Sequence, residues 1–307
     1  MNYDWILDGG YLPHGVIRVG IRRQLRDRLA SIQKTGLTQA LESKMAYFES
    51  LRQKPIAIET DKANEQHYEV GTGFLAACLG PRMKYSACLY THDNQTLAEA
   101  EEAMLRLYLE RAELRDGMTI LDLGCGWGSA ALYLAEKLPN ARITGFSNSR
   151  TQKLHIDATA KERGLKNVTV ITGNVVDYEF EPERFDRVLS IELFEHIKNY
   201  DLLMAKVSRT LKPKGKLFVH MFAHRTTPYD YDEGWMTTHF FSGGTMPSAD
   251  LLLYFQQHLK VQCQWWVNGI HYSRTCEDWL SSMMRNKHQL MPHLIETYGD
   301  KKATVCA

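Results

Sequence analysis

The stretch Met118 to Tyr133, MTILDLGCGWGSAALY, constrains the fold more than any other. Thr119 to Leu123 is short, apolar and followed by a glycine cluster, which predicts a buried strand. Gly124, Gly126 and Gly128 alternate along the next turn. Glycine adopts positive φ freely and has no Cβ, so a ligand can lie against the backbone there. From Ser129 the run Ala130, Ala131, Leu132, Leu134, Ala135 predicts a helix whose start faces that ligand. A glycine turn with no ligand is the bland reading, and the strand–turn–helix context argues against it. A dinucleotide site would place Gly at 129, where Ser129 stands, and a carboxylate about 20 positions on. That region reads Gly145-Phe146-Ser147-Asn148 and holds no acid. No phosphate-loop Lys follows the glycines, so phosphates are not the target.

Downstream, apolar runs alternate with amphipathic ones. Candidate strands fall at 119–123, 142–146, 168–172, 186–191, 215–222 and 261–267, with helices near 129–138, 149–163, 199–211 and 248–258. Such alternation predicts an α/β fold, a parallel sheet with helices on both faces. Upstream, residues 1–60 read as helices. Ile17, Ile21, Leu25 and Leu29 make one stripe, ringed by Arg18, Arg22, Arg23, Arg26 and Arg28. A basic amphipathic helix can lie on a membrane. Asp27 breaks the charge and no Trp or Phe anchors the stripe, which favours a cap helix packed on the core. Leu41 to Arg52 predicts a second helix, stopped before Pro55. Residues 61–95 are turn-rich. Leu97 to Leu114 predicts a helix with Thr96 as N-cap and Glu99 as its capping-box partner. The division expected is 1–95, a helical cap and donor-covering segment, and 96–307, the sheet domain with a lid insertion at about 223–247. Net charge is +1, which implies no field for nucleic acid. The six cysteines include no CxxC pair and read as reduced thiols of a cytoplasmic protein. No apolar run approaches the about 20 residues that span a bilayer, so no integral membrane association is expected.

In sheets of this kind ligands sit beyond the carboxyl ends of the strands. After the second strand come Ser147, Asn148 and, on the next helix, Gln152. Asn148 and Gln152 are neutral groups able to hold ribose hydroxyls. After the third come Asn174 and the Val175 backbone, suited to an adenine edge. A helix cap or a loop hydrogen bond is the plain alternative for each. After the fourth come Glu192, Glu195 and His196, three ionisable groups in an apolar run. A helical turn there would set Glu192 against Glu195 and His196 at i+3 and i+4. Carboxylates crowded in a dry site share protons, and one is raised toward neutrality. That suits a base taking a proton from an ammonium. Among the twelve histidines, His220 and His224 are four apart, but no zinc pattern surrounds them. Tyr229, Tyr231, Trp235, Phe240 and Phe241 form an aromatic stretch that reads as a lid or as loop packing.

The Asp122-x-Gly124-x-Gly126-x-Gly128 pattern resembles motif I of class I S-adenosylmethionine methyltransferases. From about 10 to 300 the chain is similar to the coclaurine N-methyltransferase-like enzymes, which are grouped with the cyclopropane-fatty-acid synthases. The matching pieces are HYEVGTGF (67–74), KYSACLY (84–90), LDLGCGWGS (121–129), SNSRTQK (147–153), ELFEHIKNY (192–200) and HYSRTCEDWL (271–280). The resemblance implies a Rossmann-like methyltransferase sheet and S-adenosylmethionine as methyl donor. It implies a donor site at Tyr85, Ser86, Asp122, Gly124, Cys125, Gly126, Ser147, Asn148, Gln152, Asn174 and Val175. It places Glu192, Glu195 and His196 at the amine, with Leu89, Tyr90, His220, Phe222 and Trp235 toward the substrate. The implied reaction is N-methylation of a small aromatic amine, in a chain that could pair as a homodimer.

Departures from the pattern shape the alternatives. Cyclopropane synthases resemble Tyr-Ser-Cys with a Cys that helps hold bicarbonate; here Ala87 follows Ser86 and Cys88 comes one later. They usually read Gly-Met-Phe-Glu-His, against Glu192-Leu193-Phe194-Glu195-His196 here. Both departures favour an amine over a lipid alkene, which stands as the second reading. Leu89 stands where the N-methyltransferases carry Tyr, and Asn174 where Asp is usual. Family members continue beyond Tyr298-Gly299 into a strand inserted antiparallel beside the fifth. Lys301 to Ala307 supplies no such strand, so the fifth strand is expected to be an exposed edge. A non-catalytic truncated product is the third reading.

Overall fold

The computed structural model describes residues 6–7, 9–34, 36–58, 72–239 and 241–295. In chain order the main elements are α1 (His14–Gln33), α2 (Leu37–Arg52), α3 (Thr72–Cys78), α4 (Leu97–Arg111), β1 (Thr119–Leu123), α5 (Ser129–Lys137) and β2 (Arg142–Ser147). Then come α6 (Arg150–Glu162), β3 (Val168–Thr172), β4 (Phe185–Ile191), α7 (Tyr200–Thr210) and β5 (Leu211–His220). A small hairpin of β6 (Tyr229–Asp230) and β7 (Thr245–Met246) brackets α8 (Trp235–His239), and α9 (Ile270–Arg285) follows.

The five long strands form one parallel sheet in the order β3-β2-β1-β4-β5. Its strands are apolar on both sides because both faces are covered. Leu121, Leu123, Phe146 and Val188 point into one core with Phe48 and Leu51 of α2 and Leu203 and Val207 of α7. Ile120, Ile143 and Leu189 point the other way, onto Met104, Leu105 and Tyr108 of α4 and Ala131 and Leu134 of α5. Each such side chain contributes about 2 kcal/mol by leaving water. The capping box forms as expected: Thr96 Oγ1 accepts the Glu99 N–H, and Glu99 Oε2 accepts the Thr96 N–H at 2.8 Å. Among the described residues no helix is long and apolar enough to cross a membrane.

Three expectations change. Among the described residues, 261–267 form no strand and find no ladder partner, and β5 is one edge of the sheet. A strand exists only where its backbone groups find a neighbour, and the Val261 to Val267 run finds side-chain contacts instead. Trp265 leans on Phe218 with ring centroids 6.4 Å apart and lies under the Arg111 guanidinium. The helix expected at 248–258 shrinks to a single 3-10 turn, Leu251–Tyr254. Helix α1 forms but buries nothing. Each four-residue step overshoots a helical turn by about 40°, so the stripe slants across about a third of the helix surface, and its Ile21, Leu25 and Leu29 stay exposed. Side-chain pairs Arg18–Glu277 and Arg28–Asp232 tether it. The HYEVG residues at 67–71, Phe240 and the tail from 296 on lie outside the described residues.

Candidate active site

The carboxyl ends of β1, β4 and β5 open onto a cavity of about 260 Å³. The glycine loop forms one wall. Gly124, Gly126 and Gly128 hold φ of 83°, 52° and 83°. A Cβ on Gly126 would meet nothing within 4 Å, so bare backbone borders open space there, whereas one on Gly128 would strike Ile156 at 2.6 Å. Around this wall, buried polar atoms lack protein partners: Asp122 Oδ2, Trp127 Nε1, Ser129 Oγ and Gln152 Nε2. All four residues line the cavity. Buried polar atoms are nearly always paired, so a cavity ringed by orphaned donors and acceptors fits a polar ligand. Gln152 Oε1 accepts from Ser147 Oγ at 2.6 Å, an anchor that leaves its amide N–H groups as the free end. Burial pushes the Asp122 carboxyl up to about 7, against a hydrogen bond from the Ala131 N–H and the charge of Lys84.

The opposite wall carries Glu192 and His196, whereas Glu195 is buried behind it and is not among the lining residues. Glu192 takes φ +51°, rare for a side chain with a Cβ, so it does not start a helix. Its N–H donates to the His220 carbonyl at 2.7 Å and its Oε1 accepts the Ala87 N–H at 2.8 Å. The chain then makes a 3-10 turn, Phe194–His196. The helical i+3 and i+4 geometry expected for this trio is therefore replaced by a left-handed residue and a tight turn. Glu195 is fully buried; its Oε1 accepts the Phe222 N–H at 2.5 Å, and its Oε2 has no partner. Burial lifts Glu192 to about 7, moderated by the Lys84 charge. Burial, then the Glu192 charge, lifts Glu195 to about 8. His196 lines the cavity and stacks on Phe241, 4.7 Å between ring centroids.

Aromatic rings close the site. Tyr85 packs on Trp279 at 5.5 Å, Trp279 meets Tyr272 edge-on at 6.2 Å, and Tyr272 packs on Phe222 at 4.8 Å. Tyr272 and Trp279 are seven apart on α9, which brings both to one face. Sequence reasoning assigned them no role, although HYSRTCEDWL contains both and their spacing was a usable signal. It also passed over Lys84 and Tyr108, which line the cavity too; a lysine beside an apolar run carries no sign that it will be buried.

Of the expected donor residues, Tyr85, Ser86, Asp122, Gly124, Cys125, Gly126 and Gln152 line the cavity. Ser147 stands behind Gln152 as its anchor. Asn148, Asn174 and Val175 are not among the lining residues. Asn174 Oδ1 accepts the Val176 N–H at 3.0 Å, the loop bond that competes with a ligand role, and Val175 packs on the core. Of the residues expected toward the substrate, Phe222 lines the cavity. Leu89 packs into the core on the α4 side of the sheet. Tyr90 turns away, donating to Asp278 at 2.6 Å under the Arg274 guanidinium. Trp235 sits on α8 outside the lining, and His220 reaches the cavity only through Tyr108.

Residues 57–300 match the family described as mycolic acid cyclopropane synthetase. The chain is 39% identical over 299 residues to (S)-coclaurine N-methyltransferase of Thalictrum flavum subsp. glaucum, covering 95% of this chain and 82% of that one. It is 42% identical over 283 residues to the Papaver somniferum enzyme of that name, covering 90% and 80%. The crystal structure of a coclaurine N-methyltransferase bound to N-methylheliamine and S-adenosylhomocysteine superposes with a TM-score of 0.94 at 37% identity, over 98% of this chain and 88% of that one. With a glycine loop, an orphaned polar rim and a sheet shared along nearly its whole length, this chain belongs to the mycolic acid cyclopropane synthetase family of S-adenosylmethionine-dependent methyltransferases.

Proposed function

We propose that the chain transfers a methyl group from S-adenosylmethionine to the nitrogen of a small aromatic amine of the benzylisoquinoline or phenylalkylamine type. The observation that carries this reading is the Glu192 carboxylate, set with His196 in a cavity walled by aromatic rings, with Glu195 fully buried just behind that lining. Bound in the cavity, the donor supplies an electrophilic methyl group on a sulfonium. Gly124 and Gly126 give it bare backbone, while Asp122, Ser129 and Gln152 offer the unpaired polar atoms. Phe222, Tyr272 and Trp279 hold the acceptor's ring and exclude water, and their faces also favour a cation.

An aliphatic amine is mostly ammonium near neutral pH and has no lone pair until a base takes its proton. A carboxylate at the ordinary value is too weak a base for that task. Glu195, lifted to about 8, is matched to it. The proton goes to Glu195 Oε2, the buried oxygen with no protein partner, with His196 beside it as the group that passes it on. With Glu195 then neutral, Glu192 supplies the negative charge that faces the nitrogen as it becomes cationic. Orientation of the two reactants contributes much of the acceleration.

The lipid reading finds less support. Ala87 uses its N–H on Glu192, and the Cys88 thiol is fully buried outside the cavity, 3.7 Å from the Ser86 carbonyl. Incubation with methyl-labelled donor and a panel of tetrahydroisoquinolines and phenylalkylamines tests the proposal. Label is expected in at least one secondary amine and in no phospholipid. A protein that binds S-adenosylhomocysteine yet labels none of the amines would sink it.

A further inference from the structure

Lys84 carries a charge that the transfer itself does not use. It is 1% exposed, and its Nζ donates to Ser86 Oγ at 2.5 Å, to the Ala87 carbonyl at 2.7 Å and to Tyr108 Oη at 3.2 Å. An ammonium has three donors and no acceptor, so these three partners satisfy the protonated form. That assignment orients the next link. Tyr108 Oη already accepts from Lys84, so its single hydrogen goes to His220 Nδ1, 2.7 Å away. His220 Nδ1 is then an acceptor, and the neutral ring carries its proton on Nε2. Burial pushes His220 down to about 3, helped by the charges of Lys84 and Arg111.

The same lysine reaches the carboxylates by a second route. Ala87 accepts from Lys84 at its carbonyl and donates its N–H to Glu192 Oε1. Burial pushes the Lys84 ammonium below its ordinary value, opposed by the groups that face it, the Cys88 thiol and the carboxylates of Glu192, Glu101 and Asp122. Glu101 is spoken for by the N–H groups of Arg82 and Lys84, and Cys88 burial raises its thiol to about 12. The Lys84 charge therefore acts on both Asp122 and Glu192, lowering each against its burial.

We propose that Lys84 and Tyr108 are positioning residues of the acceptor site: through Tyr108, Lys84 locks His220 as the neutral Nε2–H tautomer, and with Ala87 it supplies the positive charge that faces Glu192. His220 is thereby a hydrogen-bond donor at the end of β5 and takes no part as a base. The proposal rests on the amine-transfer reading for its kinetic arm alone; its spectroscopic arm needs only the folded protein.

Two-bond proton–nitrogen correlation spectra of histidine-labelled protein, recorded from pH 5 to 9 without amine, give the first test, with His220→Asn assigning the signal. His220 is expected neutral, protonated on Nε2 and flat across the range. A ring protonated on Nδ1, or one titrating near the free value of about 6.5, overturns the proposal. Tyr108→Phe removes the donor to Nδ1 and is expected to bring tautomer mixing or titration into the range; an unchanged His220 overturns the Tyr108 link. In the kinetic arm, Lys84→Met is expected to move the acid limb of kcat/KM for the amine upward by about one pH unit, because the lost charge had held Glu192 down. An unmoved limb in a variant that still shows a thermal shift with S-adenosylhomocysteine overturns the Glu192 half. If that variant does not fold, wild type and Tyr108→Phe still decide the tautomer, and failure of all amine transfer leaves the spectra readable.

Discussion

Glu192 is held at φ +51°, a conformation that costs on the order of 1–3 kcal/mol for a residue with a Cβ. Bonds to the His220 carbonyl and from the Ala87 N–H keep it there. The strain turns the carboxylate back over the strand end instead of letting the chain run into a helix. If amine transfer runs as proposed, Glu195 is the residue on which it depends most directly. Glu195→Gln keeps an acceptor for the Phe222 N–H and loses the base, so transfer should fall at least about 100-fold. Affinity for S-adenosylhomocysteine by calorimetry should stay within about twofold; a large loss would place Glu195 in the donor site. The acid limb of wild-type kcat/KM should lie between pH 7 and 8, where Glu192 and Glu195 titrate. A limb near pH 4.5 would show that the titrating carboxylate is not raised, and a carboxylate at that ordinary value is too weak a base for the task. The trio Glu192, Glu195 and His196 was legible in the sequence by its place after a strand, although the helical spacing used to pair them is absent. Tyr272, Trp279, Lys84 and Tyr108 were not legible as site residues, because their neighbours in space are far along the chain.

At the scale of elements, the strands β1 to β4 stand within a residue or two of their sequence-based bounds. Their apolar runs need no partner to be recognised, since both faces are buried. The run at 261–267 looks the same in sequence and fails for a reason that lies elsewhere: among the described residues no strand pairs with it. Helix ends were legible where side chains close them. Thr96 is such a case, and Thr96→Ala should cost about 1 kcal/mol in chemical denaturation without changing the KM for donor or amine. A shift in either KM would mean that α4 positions the site more tightly than its cap suggests, since Leu105 and Tyr108 of α4 line the cavity.

For the whole molecule, the buried acids set how stability follows pH. Glu195 has a folded value of about 8, well above the ordinary carboxylate value. Between about pH 4.5 and 8 the folded state holds a proton that the unfolded chain has released, so this group makes stability fall as pH rises. Glu195→Gln removes that dependence. The variant's melting temperature relative to wild type should therefore climb steadily from pH 5 to pH 8 and level off above; a constant difference would show that Glu195 ionises at an ordinary value. The fold as a class was readable from the alternation of elements, whereas the tethering of α1 by Arg18 and Arg28, with nothing buried, was not. Three stretches of chain line the cavity, the earliest of them running from Met83 to Tyr108. The glycine loop with Gln152 comes from a central segment, whereas Phe222, Phe241, Tyr272 and Trp279 come from a later one. Recombination between related genes at a point within α7 would exchange Phe222, Phe241, Tyr272 and Trp279 while inheriting the glycine loop and Tyr85, so new acceptor ranges can arise by shuffling one half of the gene.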